Sequence, residues 1–408
     1  MKVGIVVPYS WSYWGGVVDH AEEQARALEQ LGVETRLVMG YDPPGFGSRA
    51  LHPRSGRQGA SPPGNVLTVG RSVIVPANGS LANIVLSPSA IGRIRSLLER
   101  ERFDVVHVHE PLTPAIGVAT LALARVPLVA TFHAAGTSRW RGLARASWGF
   151  LLDRIDVRIA VSEAAARATE TYLPGPFRVI PNGVRIPPEP ELDRRENVVV
   201  FIGRHETRKG LPILLGAWPR VHRETGARLR VIGAEPALVR LLATRGRFDL
   251  EGVDLVGPVP GDELDAQLAA AKLLVAPSLG GESFGMVLIR AFAAGTPVVA
   301  SDIDGYVDVV GNGTGKLVPP GRPEALGDSV LALLNDERQR LALAAEARRT
   351  AVSKYAWPGV AGTLVEIYES LGRPSPRVPV PGAAPRAVRA AVARPAQRAD
   401  RRGWERAR

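Results

Sequence analysis

"RIPPEPELDRRENVVVFIG", residues 185–203, decides how this chain is divided. Its first thirteen residues (185–197) are rich in Pro and charge, lack apolar periodicity and read as an interdomain linker. Its last six, "VVVFIG" (198–203), form an apolar β-branched run of the kind found in a strand buried on both faces. Similar runs stand on both sides of the linker. Upstream are "KVGIVVP" (2–8), "TRLVM", "DVVHVH" (104–109), "VPLVATF" (126–132) and "DVRIAVS" (156–162). Downstream are "RLRVIG" (228–233), "VDLVG" (253–257), "KLLVAPS" and "TPVVAS" (296–301).

Amphipathic stretches such as "VDHAEEQARALEQLG" (18–32) separate these runs. Buried strands joined by helical crossovers give parallel sheets covered on both faces. The reading is therefore α/β, with two successive Rossmann-like halves. Open sheets of this kind bind ligands beyond the carboxyl ends of their strands, so two facing halves make a cleft. Residues 41–64, rich in Gly, Pro and Ser, read as a long loop.

The chain has 408 residues, more than one ordinary core accommodates, with 45% hydrophobic and 22% charged residues. It has no cysteine, which removes disulfides and thiolate metal sites. No apolar stretch reaches the 18 residues a spanning helix needs. "MKVGIVVPYS" is broken by Pro8 and reads as a first buried strand rather than a signal peptide. The net charge is +11, but residues 372–408 hold ten Arg against Asp400 and Glu405, leaving +3 for the rest. That Pro/Ala/Arg tail is expected to be disordered.

Four polar stretches follow strands. "PYSWSYWGGVVDHA" places Gly15 and Gly16 before a helix, where backbone N–H groups can approach an anion; a plain tight turn is the alternative. "ATFHAAG" puts His133 at a strand end, and "HVHEP" puts His109 and Glu110 at another. Alternation buries His107 and turns Glu110 to the rim. "FIGRHETRKG" offers Arg204 and Lys209, two cations suited to a diphosphate leaving group. Such cations can supply the charge neutralisation otherwise given by a divalent ion, and no metal-ligand cluster is evident in the sequence. "GGESFGMVLIR" (280–290) sets Glu282 among glycines before a helix, where it can accept hydroxyl hydrogens from a polyol or merely cap the helix. G-x-S-x-G, P-loop and H-E-x-x-H motifs are absent, and nothing points to nucleic acid.

In order, these motifs resemble the retaining GT-B glycosyltransferases of family four over about residues 1–371. "IPNGV" (180–184), "VIGAEP" (231–236), "LVGPVP" (255–260) and "LVPPG" (317–321) add to the likeness, and "VPANGS" (75–80) and "VHVHEP" direct it to the phosphatidylinositol α-mannosyltransferases. The resemblance implies an acceptor domain at 1–184, the linker, a nucleotide-sugar domain at 198–354, and a C-terminal helix at 355–371 packing back on the first domain. It implies that Arg204 and Lys209 bind the diphosphate, Glu282 holds the sugar, and His133 lies near the anomeric carbon. Gly16, Val259, Ser283, Phe284 and Gly285 fall on the donor side, and Tyr9, Asn78 and His109 on the acceptor side. It implies no cofactor or metal beyond a GDP- or UDP-linked sugar. The acceptor would be a lipid or polyol such as phosphatidylinositol, at the cytoplasmic face of the plasma membrane. A UDP-sugar transferase for another glycoside, and a non-catalytic sugar- or lipid-binding protein, are the alternatives.

One departure matters. The family usually has a second Glu eight residues after the first, accepting from the nucleotide's ribose; here it is Arg290, which only donates. Loss of such a bond costs about 1.5–3 kcal/mol. Arg290 is then expected to pair with an acid, to donate to ribose oxygens, or to alter donor binding. "IDGYVD" (303–308) is a smaller departure, since members often have Pro before the Gly. Peripheral contact with an anionic membrane is suggested by "SAIGRIRSLLERERF" (89–103), with Arg93, Arg95, Arg100 and Arg102, and by "SRWRGLARASWGFLL" (138–152).

Overall fold

The computed structural model describes residues 1–372 except Trp14, Pro44, 46–56, 58–59, 78–79, 134–148, 189–194 and Asn312, and without the side chains of 76–81. Asn78, most of the basic–aromatic stretch at 138–152 and the tail at 373–408 therefore lie outside the described residues. Residues 1–373 form one compact unit.

The first sheet is built on β1 (Lys2–Ser10), β2 (Glu34–Gly40), β3 (Val66–Thr68), β6 (Val105–His109), β7 (Leu128–Phe132), β8 (Val157–Ala160) and β9 (Arg178–Val179). The order is β3-β2-β1-β6-β7-β8-β9, with every pair parallel. A hairpin of β4 (Val73–Ala77) and β5 (Ser80–Ile84) pairs antiparallel to the end of β1 at Tyr9–Ile84. The sequence reading did not resolve this hairpin. Its Pro76 and the polar "ANGS" tip break the alternation that marks a strand.

The second sheet comprises β10 (Glu196–Ile202), β11 (Arg228–Ile232), β12 (Val253–Gly257), β13 (Ala271–Ala276), β14 (Val298–Ser301) and β15 (Gly315–Val318). It runs β12-β11-β10-β13-β14-β15, again all parallel. Its central strands are buried on both faces, which is why they read as unbroken apolar runs. In each sheet the strand order reverses beside the first strand, between β1 and β6 and between β10 and β13. Those reversals open the crevices where ligands bind in such sheets.

The chain passes between the halves twice, side by side. Val184 N–H donates to the Tyr355 carbonyl at 2.7 Å, and Trp357 N–H donates back to Val184 at 3.3 Å. A final helix, Trp357–Gly372, then buries Trp357, Val360, Ala361, Leu364, Ile367 and Tyr368. This helical stripe packs with Val3, Ile5, Ala21, Ala25 and Leu28 of the first half.

Candidate active site

The second half places its chemistry at the β10–β13 crevice. After β10 a single 3-10 turn, Thr207–Lys209, ends at Gly210, whose φ of 72° lies in the left-handed region. A Cβ there would collide with the Pro277 carbonyl, so only glycine lets this loop close on the one after β13. Leu279 N–H donates to the Arg208 carbonyl at 2.7 Å and ties the loops together. Glu282 then accepts from Lys209 Nζ at 2.8 Å and from Arg208 Nη1 at 2.6 Å, with Ser278 Oγ at 3.5 Å. The carboxylate side chain is 12% exposed. Gly305 supports it from behind, because a Cβ there would strike the Glu282 carbonyl oxygen. The next residue, Tyr306, is buried and hydrogen-bonds Ser278 Oγ at 2.9 Å. Burial pushes its phenol well above the usual range, so it acts as a neutral hydrogen-bonding group.

Arg208 is the residue the sequence reading missed. The turn puts Arg208 on Glu282 and leaves Arg204 bonded to Glu206 at 2.7 Å with 58% of its side chain exposed. Ser283 contributes its carbonyl, which accepts from Ser162 Oγ of the first half. Phe284 is a core side chain, edge-on to Tyr355 at 5.8 Å, so only its backbone is offered to a ligand. Gly285, at φ 92°, starts the helix Met286–Ala293, and Val259 packs against the same core cluster.

Arg290 does not reach Glu282. It bonds Asp265 Oδ1 through Nε at 3.0 Å and Nη2 at 2.6 Å, and the Gly261 carbonyl at 2.7 Å. Asp265 also accepts from Arg185 at 3.0 Å. Of the three expectations for Arg290, pairing with another acid is the one observed. Arg185, hydrogen-bonded to Asp262, holds that carboxyl below its usual range. Asp19 shows half of its side chain to solvent. Loss of hydration in the protein-lined mouth nevertheless pushes its carboxyl up to about 6, against the pull of Arg57.

The first half meets this from the β1–β6 crevice. Gly15 and Gly16 have open space where a Cβ would stand, and the helix that Gly16 begins has no side-chain cap. Its first N–H groups are therefore available to an anion. Beside it Trp11 Nε1 donates to Glu22 at 2.7 Å, and Arg57, stacked 4.6 Å over the Trp11 ring, grips the same carboxylate. Tyr9, on β1, is half-buried.

His133 caps β7, its N–H donating to Glu110 Oε1 at 2.8 Å and its Nε2 sharing a proton with His109 Nδ1 at 2.7 Å. His109 is fully buried, since β6 is covered on both faces and alternation gives it no exposed side. It reaches the cleft through His133, which is 9% exposed. His107 and His20 complete the cluster, with His20 5.1 Å from the Trp357 ring. Burial pushes His20 down to about 4 and His107 to about 3. Burial first, then neighbouring imidazoles, hold His109 and His133 well below the usual range. All four are neutral at physiological pH. Residues 20, 109 and 133 have no ligand spacing in sequence, yet the fold brings a ring nitrogen of each within 4.8 Å of the others.

Two family models match the chain. "Glycosyltransferase Family 4" covers residues 14–186 and "Glycosyl transferases group 1" covers residues 196–336. The phosphatidyl-myo-inositol mannosyltransferase of Mycobacterium leprae is 35% identical, covering 93% of this chain and 100% of that protein. The one of Mycolicibacterium smegmatis is 33% identical, covering 95% and 98%. Among solved structures, sucrose-phosphate synthase of Thermosynechococcus elongatus superposes with a TM-score of 0.70 at 19% identity, covering 91% of this chain and 99% of that one. Anabaena HepE in complex with UDP-glucose gives 0.68 at 21%, covering 91% and 100%. These last two establish the GT-B fold.

Proposed function

This chain belongs to glycosyltransferase family 4, together with the phosphatidyl-myo-inositol mannosyltransferases, and on that premise we propose that it moves a hexosyl group from a nucleotide sugar to a phosphatidylinositol-type lipid, with retention and without a catalytic metal. The observation that carries this reading is the sharing of Glu282 by Lys209 and Arg208. Without donor, the carboxylate neutralises the two cations. With donor, the diphosphate takes the cations and the sugar hydroxyls take the carboxylate, so each group exchanges one partner for another. The cations stabilise negative charge as it develops on the leaving phosphate. Arg204 adds a further cation to that loop, and the uncapped N–H groups at the start of the first helix, beside Gly16, can take a phosphate oxygen. His133 is neutral and can accept from or donate to a hydroxyl near the anomeric carbon. The chain's part is then mostly positioning and charge stabilisation.

The acceptor surface lies with the first half. In its helix Pro88–Glu101, Ile94 and Leu97 are buried inward while Ile91, Arg93, Arg95 and Arg100 face out. The apolar stripe thus serves the core, and contact with an anionic membrane through this helix is mainly electrostatic. Among the described residues no helix is long and apolar enough to cross a membrane.

Labelled GDP- and UDP-sugars, offered with phosphatidylinositol vesicles, test the reading. Transfer to lipid that Lys209→Ala abolishes and EDTA leaves unchanged, with an α-linked product, is expected. No transfer from any donor, or none sensitive to Lys209→Ala, overturns it. Transfer from UDP-sugars alone favours the alternative donor class.

A further inference from the structure

Four histidines meet behind the cleft wall, and the functional reading uses one of them. His107 is saturated: Nδ1 meets Tyr368 Oη at 2.6 Å and Gln24 Nε2 at 3.1 Å, and Nε2 meets Thr131 Oγ1 at 2.6 Å. The others are not. His20 Nδ1 and His109 Nε2 make no hydrogen bond, in residues 7% and 0% exposed, although Gln24, whose own Oε1 is also unpaired, acts on the His20 imidazole. A buried polar atom without a partner is costly, and His20 Nδ1 stands beside two imidazoles that can share a ligand with it. They come from separate elements: His20 from the first helix, His109 from β6, and the neighbouring His133 from the end of β7. His20 stands edge-on to both partners, at 5.6 Å from His109 and 5.2 Å from His133.

We propose that His20, His109 and His133 form a binding site for one late first-row divalent ion of the Zn2+ class. Neutral imidazole is a common ligand for such ions, and each ring supplies one lone pair while keeping its proton on the other nitrogen. No proton has to leave. Ligand nitrogens about 2.0–2.1 Å from an ion lie roughly 3.4 Å apart in tetrahedral geometry, so the trio, now within 4.8 Å, closes by on the order of 1 Å. His109 Nδ1 and His133 Nε2 exchange their mutual bond for bonds to the metal, His20 adds its unpartnered Nδ1, His109 keeps its proton on Nε2, and the fourth position opens beside His133, the least buried of the three. Occupancy draws His133 away from the cleft, so the ion inhibits transfer. That consequence, unlike the binding itself, rests on His133 lining the reacting sugar.

The test uses the full-length, tag-free chain, with equilibrium dialysis against Zn2+ and Co2+ as a spectroscopic probe. We expect about one Zn2+ per chain and the intense visible absorption of four-coordinate Co2+. Binding should weaken at least ten-fold in His20→Gln and in His109→Gln, since even outer-shell changes at metal sites cost about that much. It should be unchanged in His205→Gln, which lies outside the trio. Only the weak spectrum of six-coordinate Co2+ in the unaltered chain, or equal Zn2+ binding by all variants, overturns the site. The unaltered chain's Co2+ spectrum decides the matter even where a variant fails to fold. Zn2+ bound at the trio with transfer at full rate keeps the site and overturns the reading of His133.

Discussion

Lys209 Nζ stands 2.8 Å from Glu282 Oε1, joining the loop after β10 to the loop after β13 across the crevice. Arg208 meets the same oxygen at 2.6 Å. If a diphosphate displaces this carboxylate, removing either cation weakens nucleotide binding selectively. Lys209→Ala and Arg208→Ala are each expected to lower GDP or UDP affinity by about ten- to a hundred-fold, the equivalent of about 1.5–3 kcal/mol for a charged hydrogen bond. Affinity for the nucleoside without phosphates should hardly change. Calorimetry with both ligands checks this, and equal losses for nucleoside and diphosphate would contradict it.

Two glycines separate stability from binding. Gly305→Ala drives a methyl into the Glu282 carbonyl and should lower both melting temperature and donor affinity. Gly16→Ala meets open space in a helix's first turn, so the fold should be unharmed or more stable by up to about 1 kcal/mol. If a phosphate approaches the backbone there, donor affinity should still fall. Thermal melts beside calorimetry check the pair; a Gly16→Ala protein with full donor affinity would remove this glycine from the donor site.

Arg290 is tied to Asp265, so restoring a carboxylate at 290 creates a like-charge contact rather than a ribose acceptor. Arg290→Glu should lose stability, by more than the roughly 1 kcal/mol of a fully exposed pair, because it turns a half-buried bidentate contact into a like-charge one, and gain no donor affinity. The double change Arg290→Glu with Asp265→Asn should recover the stability. Comparing melts and donor isotherms of the three proteins decides it; tighter donor binding by Arg290→Glu alone would contradict this account.

The buried histidines make stability depend on pH. The unfolded chain binds their protons below the ordinary value of 6.5, while folded His20 waits until about 4 and His107 until about 3. The unfolded state therefore holds more protons in that window, and stability falls as pH falls through it. Their contribution is complete above about pH 6.5, and each imidazole loses at most about 1.4 kcal/mol per pH unit below it. Melts at pH 7.5 and 5.5 should show a drop that His20→Gln reduces. A flat profile would contradict it.

By itself the sequence determined the two-sheet α/β architecture, because strands buried on both faces must be continuously apolar, as "VVVFIG" and "DVVHVH" are. It also placed Lys209, Glu282 and Gly16 beyond strand ends, since chemistry in such sheets follows the carboxyl edge. Tertiary structure alone decided which groups meet. Arg208 reaches Glu282 because a 3-10 turn, not composition, aims it there. Arg290 turns to Asp265, a partner on another helix. His109 is buried, because β6 is covered on both sides. The three histidines, separated by up to 113 positions, converge only when the first helix lies across β6 and β7. Periodicity records which side of an element is buried, but not which atoms from distant elements will stand within bonding distance.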